Sequence, residues 1–313
     1  MLLVKAMVTG GAGFIGSHLA SALLADGHEV LVVDDLSTGR HDNLEPGVGF
    51  ECLDILEREA LARLTTAFSP QVIFHLAAQT SVGCSVRDPV HDARVNILGS
   101  LNVIAAACCT GAVLVYASSA ACYGQPLALP ISEDHLPHPV SPYGASKLVV
   151  EGYLSVFAHT HRLASCSLRL ANVYGPRQSA EGEAGVVSVF VDRALNGLSP
   201  TIHGDGNQTR DFVYVGDVVE AFQLAAMRPR GVYNIGTGRE HTVSQLWEML
   251  AGHAHDLGVR VRAPVTAAAR PGDIYRSVFD CTRAHRELGW QARTGLREGL
   301  ALTLAASRVA DHR

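Results

Sequence analysis

Apolar and polar positions follow two alternating periods through the first half of the chain. Leu2–Val8 is apolar except for Lys5, as a strand covered on both faces should be. Phe14–Asp26 then repeats its apolar residues with helical spacing. Strand-like runs recur at Glu29–Asp34, Gly49–Leu53, Val72–Leu76, Ala112–Ala117 and Ala164–Leu170. Helical patterns lie between them, near Glu57–Phe68, over Asp92–Cys109 and over Tyr143–His159. Strand, helix, strand repeated in this way predicts an α/β fold: a doubly wound parallel sheet of Rossmann type, with helices on both faces and right-handed crossovers.

After Asn172 the rhythm loosens, and Gly, Pro and Arg become frequent, as in Gly175-Pro176-Arg177 and Gly204-Asp205-Gly206. Helical spacing persists at Val186–Asn196, Asp217–Met227, Val243–Leu257 and Leu296–Arg308. The pattern divides the chain into a dinucleotide-binding domain over residues 1–171 and a smaller mixed α/β lobe over 172–313, with segments free to cross between them.

Composition narrows the function. Of 313 residues, 48% are apolar and 18% charged, enough to bury a large core and too apolar for a disordered chain. The net charge of -5 gives no electrostatic footprint for nucleic acid. No uninterrupted apolar stretch nears the ~20 residues of a membrane span. The seven cysteines are scattered without a C-x-x-C pair, which reads as reduced thiols in a cytoplasmic protein. Asn207-Gln208-Thr209 is then a sequon never glycosylated. Histidines are frequent but show no H-E-x-x-H spacing, so no metal is assigned.

Thr9–Gly16 carries the first chemistry. Gly10, Gly13 and Gly16 stand three apart, directly after a strand. Such glycines make a tight turn, let the backbone approach a pyrophosphate, and let helix pack closely on strand. The helix opening at Phe14 and Ile15 directs its N–H groups and positive dipole end at the anion. Asp34 follows 18 residues after Gly16, at the end of the second strand. A carboxylate there accepts ribose hydroxyls and repels a 2′-phosphate, which favours NAD over NADP. Asp35 reads as a turn residue, and Arg40 sits beyond the strand end. Asp54 and Ile55 follow the third strand, where they could meet the adenine.

Residues 141–147 read Ser-Pro-Tyr-Gly-Ala-Ser-Lys. Ser141 suits an N-cap and Pro142 the first helical position. Tyr143 and Lys147 then share a helix face one turn apart. A phenol ionises near ~10 and is a poor base at neutral pH, but an adjacent ammonium favours its phenolate. Ser118 and Ser119 end the fifth strand, where ligands of parallel sheets collect, and Ser119 can pass a substrate proton to Tyr143.

With these segments in this order, the chain resembles the extended short-chain dehydrogenase/reductases of the nucleotide-sugar epimerase/dehydratase family. The likeness includes His75-Leu-Ala-Ala78, Asn96, Tyr123-Gly124, Asn172-Val-Tyr-Gly-Pro-Arg177, Gly204–Asp211 and Arg270-Pro-Gly-Asp273, and so covers nearly the whole chain. It implies a catalytic set of Ser119, Tyr143 and Lys147. It implies NAD contacts from Leu76, Ala77, Ala78 and Asn96 beside those already named. For the substrate it implies Ser81, Ser118, Ser119, Asn172 and Val187, with Arg210 and Arg270 on the diphosphate and Asp273 on the ribose. Guanidinium groups suit phosphate in both shape and charge.

Within the family the motifs are most similar to those of UDP-hexose 4-epimerases acting on UDP-glucose and UDP-galactose. The implied mechanism has Tyr143 take the 4-OH proton while hydride leaves C4. The 4-keto sugar turns on its bound nucleotide, and hydride returns to the other face. Family dehydratases carry an Asp-Glu pair where this chain has Ala120 and Ala121, which leaves no carboxylates for elimination. Cys122 reads as a small buried residue. Epimerases restricted to plain hexoses carry a Tyr where this chain has Ser277, so N-acetyl groups should fit. The alternatives are a UDP-glucuronate 4-epimerase, with Arg177 or Arg87 supplying charge to the sugar's C6 pocket, a dehydratase or reductase of another nucleotide sugar, and a silent nucleotide-sugar binder. A homodimer through the helices at Asp92–Cys109 and Tyr143–His159 is a further family expectation.

Overall fold

The computed structural model describes residues 3–180, 185–269 and 274–310. The strands of the first half are β1 (Lys5–Thr9), β2 (Glu29–Asp34), β3 (Gly49–Cys52), β4 (Val72–His75), β5 (Val113–Ser119) and β6 (Ser165–Leu170). Short strands follow: β7 (Asn172–Tyr174), β8 (Thr201–His203), β9 (Thr209–Tyr214), β10 (Val232–Ile235), β11 (Glu240–Thr242) and β12 (Val265–Ala267). Seven of them form one parallel sheet in the order β10-β6-β5-β4-β1-β2-β3. After β1 the chain winds outward through β2 and β3, then returns to β4 on the other side of β1. The reversal opens a crevice at the carboxyl ends of β1 and β4, where doubly wound sheets bind ligands.

Both faces are covered. On one, α1 (Phe14–Ala25) packs with Val218, Phe222 and Ala225 over Val8, Val32 and Phe74. On the other, α2 (Arg58–Phe68) lies against Met7, Ile73 and Leu114. Next come the short helices α3 (Val82–Arg87) and α4 (Pro89–Ala93), a π-helical turn at Arg94–Gly99, and α5 (Ser100–Thr110). The sequence predicts one helix over Asp92–Cys109, whereas the wide turn in mid-run lets Asn96 face inward. The run Pro89–Thr110 is long and apolar enough to span a membrane by length and composition. Here it flanks the sheet, with Asp92, Asn96, Ser100 and Val103 buried.

The helix α6 (Pro142–Thr160) covers β5. Ser141 caps it as predicted, its Oγ accepting from Gly144 N at 3.1 Å, and Pro142 takes the first turn. Beyond β6, α7 (Val186–Leu195), α9 (Val243–Asp256) and α11 (Leu296–Ala310) share a second core with Tyr174, Phe212 and Trp247. Two segments of this half lie on the large sheet: β10 is its edge strand, and α8 (Val215–Met227) packs beside α1. The helix α10 (Thr282–Leu288) supports β10. The sequence reading gave no strand at Val232–Ile235, which lies in the looser second half of the chain.

Candidate active site

The glycine turn fills the crevice floor. Gly10 has φ +70°, and a Cβ there would lie 2.5 Å from the Ala77 amide nitrogen. A Cβ on Gly16 would lie 2.2 Å from the Gly10 carbonyl oxygen. Only glycine lets β1, the turn and α1 approach the 76–78 segment this closely. Gly13 is the N-cap of α1 and offers no side-chain cap, so the first-turn N–H groups of Phe14 and Ile15 point at whatever anion enters.

Asp34 ends β2 beside this turn. Its Oδ2 accepts from Ala12 N at 3.0 Å and its Oδ1 from Leu36 N at 2.9 Å. Burial pushes its carboxyl pKa up, and the two amides pull it back down. Each oxygen keeps a lone pair for a hydroxyl donor. The turn and this anchored acceptor fit the phosphates and ribose of a dinucleotide. Asp35 is closed into its own turn, Oδ1 accepting from Ser37 N at 2.9 Å, and Arg40 is exposed. Asp54 likewise caps a local turn, accepting from Leu56 N at 2.8 Å, while Ile55 is core.

Gln79, next after the 76–78 segment, is held by Asn96. Asn96 Oδ1 accepts from Gln79 N at 2.8 Å, and its Nδ2 donates to Gln79 O at 3.0 Å and to Ser146 Oγ at 3.1 Å. Gln79 and Asn96 both donate to the buried Asp92 carboxylate. Ser81 caps α3, its Oγ accepting from Cys84 N at 2.8 Å.

At the end of β5, the Ser119 Oγ accepts from Ala121 N at 3.1 Å and lies beside the Tyr143 phenol. Burial pushes the Tyr143 pKa up to about 12, and the neighbouring Ser119 hydroxyl pulls it down. Lys147 is 4% exposed and donates to Ala117 O at 2.9 Å. Its ammonium lies 5.8 Å from the centroid of the Tyr143 ring and 5.0 Å from that of Tyr116. Burial pulls its pKa down to about 8. This set can hold and pass a proton, but by itself it keeps the phenol protonated at neutral pH. A further positive charge at the site is what would favour the phenolate.

Not every expected residue joins this set. Ser118 turns inward, where its Oγ donates to Glu151 Oε1 at 2.5 Å. That corrects its expected contact with substrate, because the side chain is 3% exposed and held by Glu151. Val187 is likewise core, 2% exposed on α7. Asn172 is exposed at the start of β7, and Arg210 lies on β9, donating to Thr209 O at 2.8 Å. Arg270 and Asp273 lie outside the described residues. Arg177 pairs with Glu45 at 3.0 Å and donates to Ser21 Oγ at 3.3 Å. Ala120 and Ala121 follow Ser119, and Cys122 is buried. Gln79, Asp92, Glu151 and Arg169 escaped the sequence reading. The signal for Glu151 was its place one turn beyond Lys147. Among the described residues no cluster of potential metal ligands occurs.

Comparison with known proteins gives consistent matches. The profile of a family described as GDP-mannose 4,6 dehydratase matches residues 7–303. A UDP-glucose 4-epimerase of Mycolicibacterium smegmatis is 44% identical, over 96% of this chain and 97% of its own. The structure of a Thermotoga maritima UDP-glucose 4-epimerase with UDP-glucose superposes with a TM-score of 0.94 at 43% identity, covering 98% of this chain and 99% of that one. A Thermus thermophilus UDP-glucose 4-epimerase in complex with NAD superposes at 0.91, with 44% identity and coverage of 98% and 99%.

Proposed function

We infer the reaction from the premise that the chain belongs to the GDP-mannose 4,6-dehydratase family, and within it we read the chain as an NAD-dependent UDP-hexose 4-epimerase. The observation that carries this reading is the convergence of Ser119, Tyr143 and the Lys147 ammonium, 5.8 Å from the Tyr143 ring centroid, at a strand end followed by two alanines. A dehydratase needs a carboxylate pair there, and Ala120 and Ala121 supply none.

NAD bound here would supply the reversible hydride acceptor for C4 of the sugar, so that no net oxidation occurs. Gly10, Gly13, Phe14, Ile15 and Gly16 would hold its pyrophosphate and Asp34 its adenosine ribose, with the 76–78 segment, next to the Gln79 that Asn96 holds, as the wall beside them. Tyr143 takes the proton of the 4-OH and later gives it back. Ser119 holds that hydroxyl and relays the proton. Lys147 stabilises the phenolate. Asn172 and Arg210, with Arg270 and Asp273, would grip the nucleotide. Binding energy placed there leaves the sugar free to turn. Arg177 is engaged with Glu45, which removes one charge the UDP-glucuronate alternative would use.

The test is NMR of purified protein with UDP-galactose or UDP-glucose and no added cofactor. Epimer should form, and Tyr143→Phe should keep NAD and lose turnover. Turnover by Tyr143→Phe at the normal rate would overturn the mechanism.

We further propose a homodimer in the cytoplasm. Supporting it, Val149, Tyr153 and Val156 form an exposed apolar stripe on α6, and all seven cysteines are free. Light scattering should give twice the chain mass, and Val156→Lys should halve it; a wild-type monomer would reject the dimer.

A further inference from the structure

Behind the proton-transfer set lies a buried charge pair that the reaction does not use. Glu151 sits on α6 one turn beyond Lys147 and two beyond Tyr143, on the same helix face. Its carboxylate accepts from Arg169 of β6 twice, Nε to Oε1 at 3.0 Å and Nη2 to Oε2 at 2.6 Å. Ser118 Oγ adds a third bond at 2.5 Å. The Arg169 and Glu151 side chains are 5% and 6% exposed. Arg169 stands beside Ser118 in the β5–β6 register, and its guanidinium lies 4.6 Å from the centroid of the Tyr123 ring. The Tyr123 hydroxyl is fixed in turn, donating to Asn234 Oδ1 at 2.7 Å.

Stability does not explain this arrangement. Desolvating two ions costs several kcal/mol each, and well-packed apolar replacements of a buried pair are often neutral or stabilising. What the pair supplies is register. One carboxylate joins the ends of β5 and β6 to the inward face of α6. The groups next to these ties are the ones that react: Ser119 follows Ser118, and Lys147 and Tyr143 precede Glu151 on the helix. A slide of α6 along β5 would part Tyr143 from Ser119 and stretch the 2.9 Å bond from Lys147 to Ala117. Misplacement by 1 Å can cost about a hundredfold in rate.

We propose that Glu151 and Arg169, with Ser118, are positioning residues of the reaction: they set the register of α6 on β5 that brings Tyr143 to Ser119. The proposal rests on Ser119, Tyr143 and Lys147 being the proton-transfer set. The test replaces both charges together, Glu151→Leu with Arg169→Met, so that neither ion is left buried alone. Urea unfolding, bound NAD, KM and kcat for UDP-galactose are measured beside wild type and Tyr143→Phe. The double variant should fold and hold NAD, keep KM within about twofold, and lose at least about tenfold in kcat. If Tyr143→Phe is inactive while the double variant keeps the wild-type kcat, the positioning role is overturned and the epimerase reading stands. If Tyr143→Phe turns over normally, the proton-transfer set is misassigned and this proposal falls with it. Should the double variant fail to fold, Ser118→Ala decides. A severalfold loss of kcat at constant KM supports the role, and wild-type kcat overturns it.

Discussion

Lys147 should weaken the fold that it serves. Its ammonium is buried, with one hydrogen bond and two aromatic faces as company. Burial moves its pKa from 10.5 to about 8, equivalent to about 3 kcal/mol held against the folded state wherever the lysine is charged. The sign follows from proton counts. Below pH 8 both folded and unfolded chains carry the ammonium, and the folded chain bears the whole cost. Between 8 and 10.5 the folded lysine sheds its proton while the unfolded one keeps it, so stability recovers as pH rises. Lys147→Met removes the charge and the bond to Ala117, the latter worth about 1 kcal/mol. The net expectation is a variant about 2 kcal/mol more stable at pH 7, and inactive. The assay is urea unfolding of nucleotide-free wild type and variant at pH 7, 8.5 and 9.5. Comparing the two cancels thiol and phenol ionisations common to both, and the variant's advantage should shrink as pH rises. Equal or lower stability of Lys147→Met at pH 7, or an advantage that does not change with pH, would refute the reasoning.

His75 should report on acid. It is buried between Thr9 Oγ1 at 2.7 Å and Ser100 Oγ at 2.8 Å, and burial, helped by the Lys147 charge, pulls its pKa to about 3. From pH 6.5 downward the unfolded chain binds a proton that the folded chain refuses, so stability is lost as pH falls, by about 2 kcal/mol at pH 5. His75→Gln should flatten that slope in urea titrations, and an unchanged slope would clear His75 of it. Substrate breadth is the other check. Ser277 is small and half-buried, so UDP-N-acetylglucosamine should be epimerised, and Ser277→Tyr should suppress that reaction more than the one with UDP-glucose. Turnover of the plain sugar alone by wild type would end the size argument.

The sequence by itself determined the doubly wound sheet, the glycine turn, the Ser141-capped helix and the spacing of Tyr143 and Lys147. Those features are local: they depend on periods of two and 3.6 residues, on φ angles only glycine adopts, and on neighbours one helical turn apart. Tertiary structure alone decided what crosses between elements. Ser118 and Ser119 look alike in the chain, yet one is bonded to the buried Glu151 and the other lies beside Tyr143, because the packing of α6 on β5 sets which side chain each serine meets. Asn96 holds Gln79 only because a π turn rotates it inward. Val232–Ile235 becomes the sheet's edge because β6 offers an open ladder there. Burial, too, belongs to the fold: neither the protonated phenol of Tyr143 nor the weakened ammonium of Lys147 can be read from residue types, since both follow from how much water the surrounding helices exclude.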